Sequence, residues 1–351
     1  MSKIILKITP VDGYFFGSEN RRSDDTVNYF LKSFTVPQQS TMLGAIRYMF
    51  LKFVAGDAVF KDNKIVDKEA AKKMIGEKSF NLNETDFKMG KITSISEVFL
   101  LKNDTPFLPA PFDAGLEGIN FIQDSGIPDI ANYSAKEHYP KKFASKDDPD
   151  LVKSCCIFKE VIQSGNKKDN KGDDDDDAYY KQQYYRLSEG WSFGVELESD
   201  DESLKKFEKE FFVNMGGENK LFKIEKLTGV SLNKDEIIER FKHSKLYKIV
   251  LISDTYFKDD PYKNCLFAFS KTKSFRNLKS TVDDTKKYQN RSSSDNESMN
   301  QSGLVELMES GSVFYFKTND EAEKFKKQID NEYLSKAGMN KYVLIQPKTV
   351  N

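Results

Sequence analysis

The sequence predicts an α+β protein built from two ferredoxin-like domains in tandem, the first interrupted by a long insertion. Three observations carry this. Apolar residues alternate at strand spacing in several segments; helical stripes follow capping residues between them; and the elements run strand, helix, strand, strand, helix, strand before a second, degenerate set begins. A length of 351 residues also exceeds the usual size of one compact domain.

Residues 3–11 alternate in polarity and are closed by Pro10, Asp12 and Gly13, so the chain starts in a strand. Met42, Ile46, Met49 and Phe53 then recur at helical spacing, with Ser40 or Thr41 available to cap the first backbone N–H groups. Residues 92–101 read as a second strand. Pro106, Pro109 and Pro111 then break regular structure and open an insertion over about 103–181. It closes on NKKDNKGDDDDDAYY, whose charge density reads as a solvated surface loop. Residues 191–198 form a third strand, and Ser199 with Glu202 gives an S-x-x-E start to a helix presenting Leu204, Phe207 and Phe211. A Gly-rich turn and a fourth strand occupy 215–227. The first domain therefore spans 1–230 and the second 231–351.

In the second domain, strands are expected at 246–253 and 265–270, followed by a polar, poorly ordered stretch at 283–303. SVFYF at 312–316 is a strand with apolar residues on both faces. Thr318 and Glu321 form a capping box, Ala322, Phe325 and Ile329 make a helical stripe, and 342–346 is the last strand.

Charged residues make up 31% of the chain but sum to a net −1, so nucleic-acid binding would need a local patch. With 28 Phe and 16 Tyr there is aromatic mass for cores and for exposed rings. The three Cys, two of them adjacent at Cys155 and Cys156, fit neither a disulfide framework nor a CxxC metal site, and this suits a reducing cytoplasm without structural metal. The N-terminal run IILKI is too short for a signal-peptide core, and no apolar stretch is long enough to span a membrane.

In FTVPQQSTMLGAIR, Pro37 ends an extended segment, Ser40 and Thr41 sit at the helix start, and Gly44 removes a side chain one turn in. A helix N-terminus can hold a phosphate, and Arg47, Arg21 and Arg22 could reinforce the grip. The plainer reading is an ordinary capped helix with Arg47 on its solvated side. Gly216 and Gly217 could line an anion-accepting concavity, or could simply form a tight turn.

The segments DGYFFG, VPQQSTMLGAIRYMF, YYRLSEGWSFGVEL, MGGENKLF and SGSVFYF, in that order, resemble the signature blocks of one family. It is the Cas5-like RAMP subunit, subunit three, of Cmr-type (type III-B) CRISPR RNA-guided effectors. The blocks run from about residue 8 to 316, and their order carries the specificity. The resemblance implies two RAMP domains that bind the 5′ handle of the guide RNA and dock on the polymerase-like large subunit beside the backbone RAMP subunits. Target RNA is then met only indirectly, and the subunit has no catalytic role, metal or cofactor. Position by position it implies RNA contacts at Phe15, Phe16 and Gly17, at Pro37, Gln38, Ser40, Thr41, Gly44 and Arg47, and at Gly216, Gly217 and Glu218. Aromatic rings among them can stack bases. A basic residue usual after the first Phe pair is displaced here to Arg21 and Arg22.

Three other readings stand beside it: a guide-processing endoribonuclease relying on His138 or His243, the equivalent subunit of a Csm-type complex, and a purely structural adaptor whose aromatic surfaces contact protein partners and never touch RNA. GDDDDD at 172–177 resembles the metal-binding turn of polymerase-like cyclases, but NKKDNK upstream cannot form the buried strand that such a turn needs. No P-loop and no G-x-S-x-G elbow occurs.

Overall fold

The protein is described from a computed structural model. It covers residues 1–17, 30–83, 88–114, 120–121, 128–129, 141–166, 179–208, 210–241, 246–277, 281–282 and 302–347.

The first domain is built on β1 (Ser2–Pro10), α1 (Gln39–Met49), β2 (Phe99–Lys102), β3 (Trp191–Ser199), α2 (Asp201–Lys205) and β4 (Leu221–Leu227). The strands lie in the order β2-β3-β1-β4, with β1 antiparallel to both neighbours, Ile8 opposite Phe193 on one side and Ile224 on the other. This is the ferredoxin-like arrangement expected from the element order. Alternation along β1 explains its position. Ile4, Leu6 and Ile8 pack with Met42, Leu43, Ile46 and Met49 of α1, while Ile5 belongs to the cluster on the opposite face. Each such side chain, fully buried, contributes about 1.5–3 kcal/mol.

The second domain repeats the pattern with β5 (Tyr247–Leu251), β6 (Phe267–Phe269), β7 (Val313–Phe316), α3 (Asn319–Ile329) and β8 (Tyr342–Ile345), in the order β6-β7-β5-β8. Between β5 and β6 it has only the 3-10 turn Pro261–Asn264. The copy is degenerate at that connection. SVFYF is covered on both faces, as its composition predicts: Phe314 and Phe316 meet Phe325 of α3 at ring distances of 4.7 and 5.0 Å, and Val313 and Tyr315 face the first domain. The Thr318–Glu321 capping box is present.

The two sheets pack face to face through Ile5, Phe99, Leu101 and Leu108 against Val250, Phe269 and Val313. Inside this layer Lys248 Nζ donates to Asp113 Oδ2 at 2.5 Å, and the Tyr315 hydroxyl donates to the same oxygen; all three residues are buried. Burial and the neighbouring carboxylate push the Tyr315 phenol well up, which keeps it a donor.

Several local expectations are corrected. The N-cap of α1 is Gln38, one turn ahead of Thr41 and without any side-chain cap bond. After Met49 the helix continues as a π-helix, Phe50–Ala55, which still brings Phe53 to within 4.4 Å of the Phe211 ring. Residues 92–101 form two strands, Ile92–Ile95 and β2, because Glu97 turns inward to accept from Lys234 Nζ at 2.6 Å. Asp200, not Ser199, caps α2; Ser199 ends β3 and donates to the Lys91 carbonyl. Phe211 is on a strand, Phe211–Asn214, that pairs with β4. The prolines after residue 105 do not end the sheet: Thr105–Pro109 pairs with β2, and Lys142–Ala144 and Val152–Lys153 extend it further. Phe158–Asn166 and Tyr179–Leu187 form a long hairpin. Arg21, Arg22, His138, His243, the acidic run 172–177 and most of 283–303 lie outside the described residues.

Candidate nucleic-acid interface

The chain between β1 and α1 is pinned near its start by the Gly-rich turn. Gly217 N–H donates to the Phe15 carbonyl at 2.8 Å. A Cβ at Gly216 would stand 2.5 Å from that carbonyl oxygen, and one at Gly217 2.6 Å from the Phe15 ring. Gly216 also has φ +79°, so side chains are excluded here on two grounds. The turn therefore holds Phe15 in place, and the Gly217 N–H is engaged by backbone. Phe16 is 4% exposed and locked among Tyr14, Phe193 and Phe222, whereas Phe15 is half-buried with its ring 5.8 Å from Tyr184. Of this pair, Phe15 has the accessible ring.

Beside it lies the start of α1. Its N-cap backbone is extended, and Thr41 N–H and Met42 N–H both bond to the Gln38 carbonyl. Asp200 and Thr318 close the starts of α2 and α3 with side-chain acceptors, but no side chain caps α1. Its positive end therefore meets no capping oxygen of its own. Gly44 is exposed, and a Cβ built there meets nothing within 4 Å, so this helix face is open.

Phe15, Phe16, Gly17, Gln38, Ser40 and Thr41 share one open groove of about 1030 Å³ with Gly44, Arg47, Gly216 and Gly217. That is at the upper end of ordinary ligand-pocket volumes of about 300–1,000 Å³. Three stretches far apart in sequence thus converge.

Two predicted residues do not join them. Pro37 is buried against a separate small cavity between the domains. Glu218 accepts from the Tyr184 hydroxyl at 2.5 Å and lies 3.5 Å from Lys220 Nζ, tying the turn to the long hairpin. Arg47 lines the groove but is 9% exposed and donates to the Gly76 carbonyl at 3.3 Å, which corrects the solvated placement. Burial pulls its guanidinium down to about 10, with Tyr333 opposing, so it remains charged at neutral pH.

Sequence reasoning missed other groove residues. Tyr48 follows Gly44 by four positions on the same helix face, a spacing that could have revealed it. Phe34 lies within the quoted FTVPQQSTMLGAIR but reads there as ordinary strand. Ser274, Arg276 and Asn277 come from the second domain, and nothing local in the sequence signals that they arrive.

Among the described residues, no group of three or more His, Cys, Asp or Glu is placed to hold a metal ion. No helix among them is long and apolar enough to cross a membrane.

Fold and groove together define a tandem ferredoxin-like protein of the RAMP class. The family model of the CRISPR-associated protein Cas_Cmr3 matches residues 6–126 and 122–347, and the chain belongs to that family, a Cmr-type CRISPR subunit. No curated protein matches by sequence. Among solved structures, a chain of Type III-B Cmr-beta bound to cognate target RNA aligns with TM-score 0.52 and 13% identity over 96% of this chain and 95% of that one. A second Cmr-beta chain, with cognate target RNA and AMPPnP, reaches 0.48 at 12% identity over 92% of each chain. A Csm3–Csm4 subcomplex chain reaches 0.36 at 12% identity over 90% of this chain and 92% of that one. The last two scores are too low to bear on the fold.

Proposed function

We propose that this chain is a non-catalytic subunit of a type III-B CRISPR effector that holds the 5′ handle of the guide RNA in the groove described above. It docks on the polymerase-like large subunit beside the backbone subunits, and the target RNA reaches it through the guide. The observation that carries the reading is the convergence of the Phe15–Gly17 segment, the uncapped start of α1 and the Gly216–Gly217 turn on one groove. A helix N-terminus suits phosphate, and half-buried rings such as Phe15, Phe34 and Tyr48 suit unstacked bases. The Cmr-beta relative was solved with target RNA bound, which agrees with work on RNA.

One experiment tests both halves of the proposal. The assembled complex is loaded with guide RNA carrying photoreactive uridines in the handle, irradiated, and analysed for crosslinked peptides and for RNA length. Crosslinks should fall on peptides containing Phe15, Phe34 or Tyr48, and the guide should stay at full length without metal. Crosslinks confined to the α3 side of the second domain, or shortened guide produced by this chain alone, would refute the reading.

A further inference from the structure

The groove is completed by the second domain. The first-domain wall at 77–81 is joined to residues 275–277 and 281–282 by backbone and side-chain bonds: Asn277 Nδ2 donates to the Phe80 carbonyl at 2.5 Å, and Val282 N–H to the Glu77 carbonyl at 2.9 Å. Phe80 packs against Phe275 at 6.1 Å and Tyr333 at 5.7 Å, and the Asn81 N–H donates to the Tyr333 hydroxyl at 3.1 Å. The wall and the second-domain segment are therefore held as one unit.

Arg276 sits inside this seam. Its neighbours Phe275 and Asn277 are buried, at 1% and 7% exposure, while Arg276 is exposed and lines the groove. Its backbone is held between two buried neighbours, and the residue is exposed where it lines the groove. Arg47, the other arginine lining the groove among the described residues, is buried and bonded to the Gly76 carbonyl. The carboxylate of Glu77 lies on the same wall, so added negative charge in the groove is opposed there unless a cation balances it. A planar guanidinium on a fixed backbone, facing a groove that also takes a helix N-terminus, is suited to grip a phosphate.

We propose that Arg276 contacts a backbone phosphate of the RNA in this groove, so that the second domain supplies a cation to a site built mainly by the first. The proposal rests on the RNA reading above. Its test titrates the full-length chain with single-stranded RNA carrying the repeat-derived handle, over a series of salt concentrations, for wild type, Arg276→Ala, Arg276→Lys and Gly44→Leu. Arg276→Ala should weaken binding about tenfold, as for loss of one charge-assisted hydrogen bond. It should also reduce the slope of log affinity against log salt by roughly 0.7, the value for one phosphate contact on a single strand. Arg276→Lys should restore the slope and part of the affinity. If Gly44→Leu abolishes binding while Arg276→Ala leaves affinity or slope unchanged, the Arg276 assignment is wrong and the groove reading stands. If both variants bind as wild type, or the wild-type chain does not bind, both fail.

Discussion

Between its first and second strands the N-terminal repeat has the eleven-residue helix α1, whereas the C-terminal repeat has a four-residue 3-10 turn. The strand order on either side is the same. Their starts differ in chemistry as well as length: Asp260 closes the 3-10 turn by accepting from Tyr262 N–H, while Gln38 leaves α1 without a side-chain cap. The carboxylate at the second start already satisfies a backbone donor and would repel an anion. The comparison teaches that the sheet supplies a frame in both repeats, and that among the described residues the proposed handle site is set by a long helix whose start has no side-chain cap and faces a groove. The second repeat then acts as scaffold and as the groove's outer wall.

The largest effect should come from breaking the frame that both repeats share. Asp113→Ala leaves Lys248 buried without its carboxylate, and removing one partner of a buried pair costs about 3–5 kcal/mol. Calorimetry of the full chain should show a melting temperature lower by roughly 10 °C. A fall of only a degree or two would mean that the sheet-to-sheet layer is not a shared core.

A matched pair of cap substitutions separates the two helix starts at smaller cost. Thr318→Ala removes the α3 cap and should destabilise the chain by about 1 kcal/mol while leaving handle binding unchanged. Gln38→Asp gives α1 a cap and should raise stability by up to about 1 kcal/mol, yet weaken handle binding by placing a carboxylate at the anion end. Thermal melts and RNA titration of both proteins check this. The comparison fails if binding follows stability in the same direction in each.

Much of this frame was legible in the sequence because its signals are local. The alternation in SVFYF, the Thr318–Glu321 spacing and the stripe of Met42, Ile46 and Met49 are each set within a few residues. The convergence of Phe15, Gly44 and Gly216 came from the order of family blocks, not from any one block's physical pattern. What stayed hidden was decided at long range. Glu97 bends a strand because Lys234 reaches it across the fold, and Arg47 is buried because the Gly76 segment covers it. The prolines of Thr105–Pro109 are carried in a strand that pairs with β2 on one side and with Lys142–Ala144 on the other, the second of these partners being distant in sequence. Arg276 lines the groove beside Asn277, whose side chain ties the segment after the Thr272–Phe275 strand to Phe80.

The central claim, that the open face of α1 receives the guide handle, is tested most directly by Gly44→Leu in the assembled complex. Leucine is the better helix former by nearly 1 kcal/mol, and its side chain projects into space that is open in the groove. Guide RNA co-purifying with the complex should fall about tenfold or more while the chain's melting temperature holds or rises. Full guide occupancy in that variant would contradict the account.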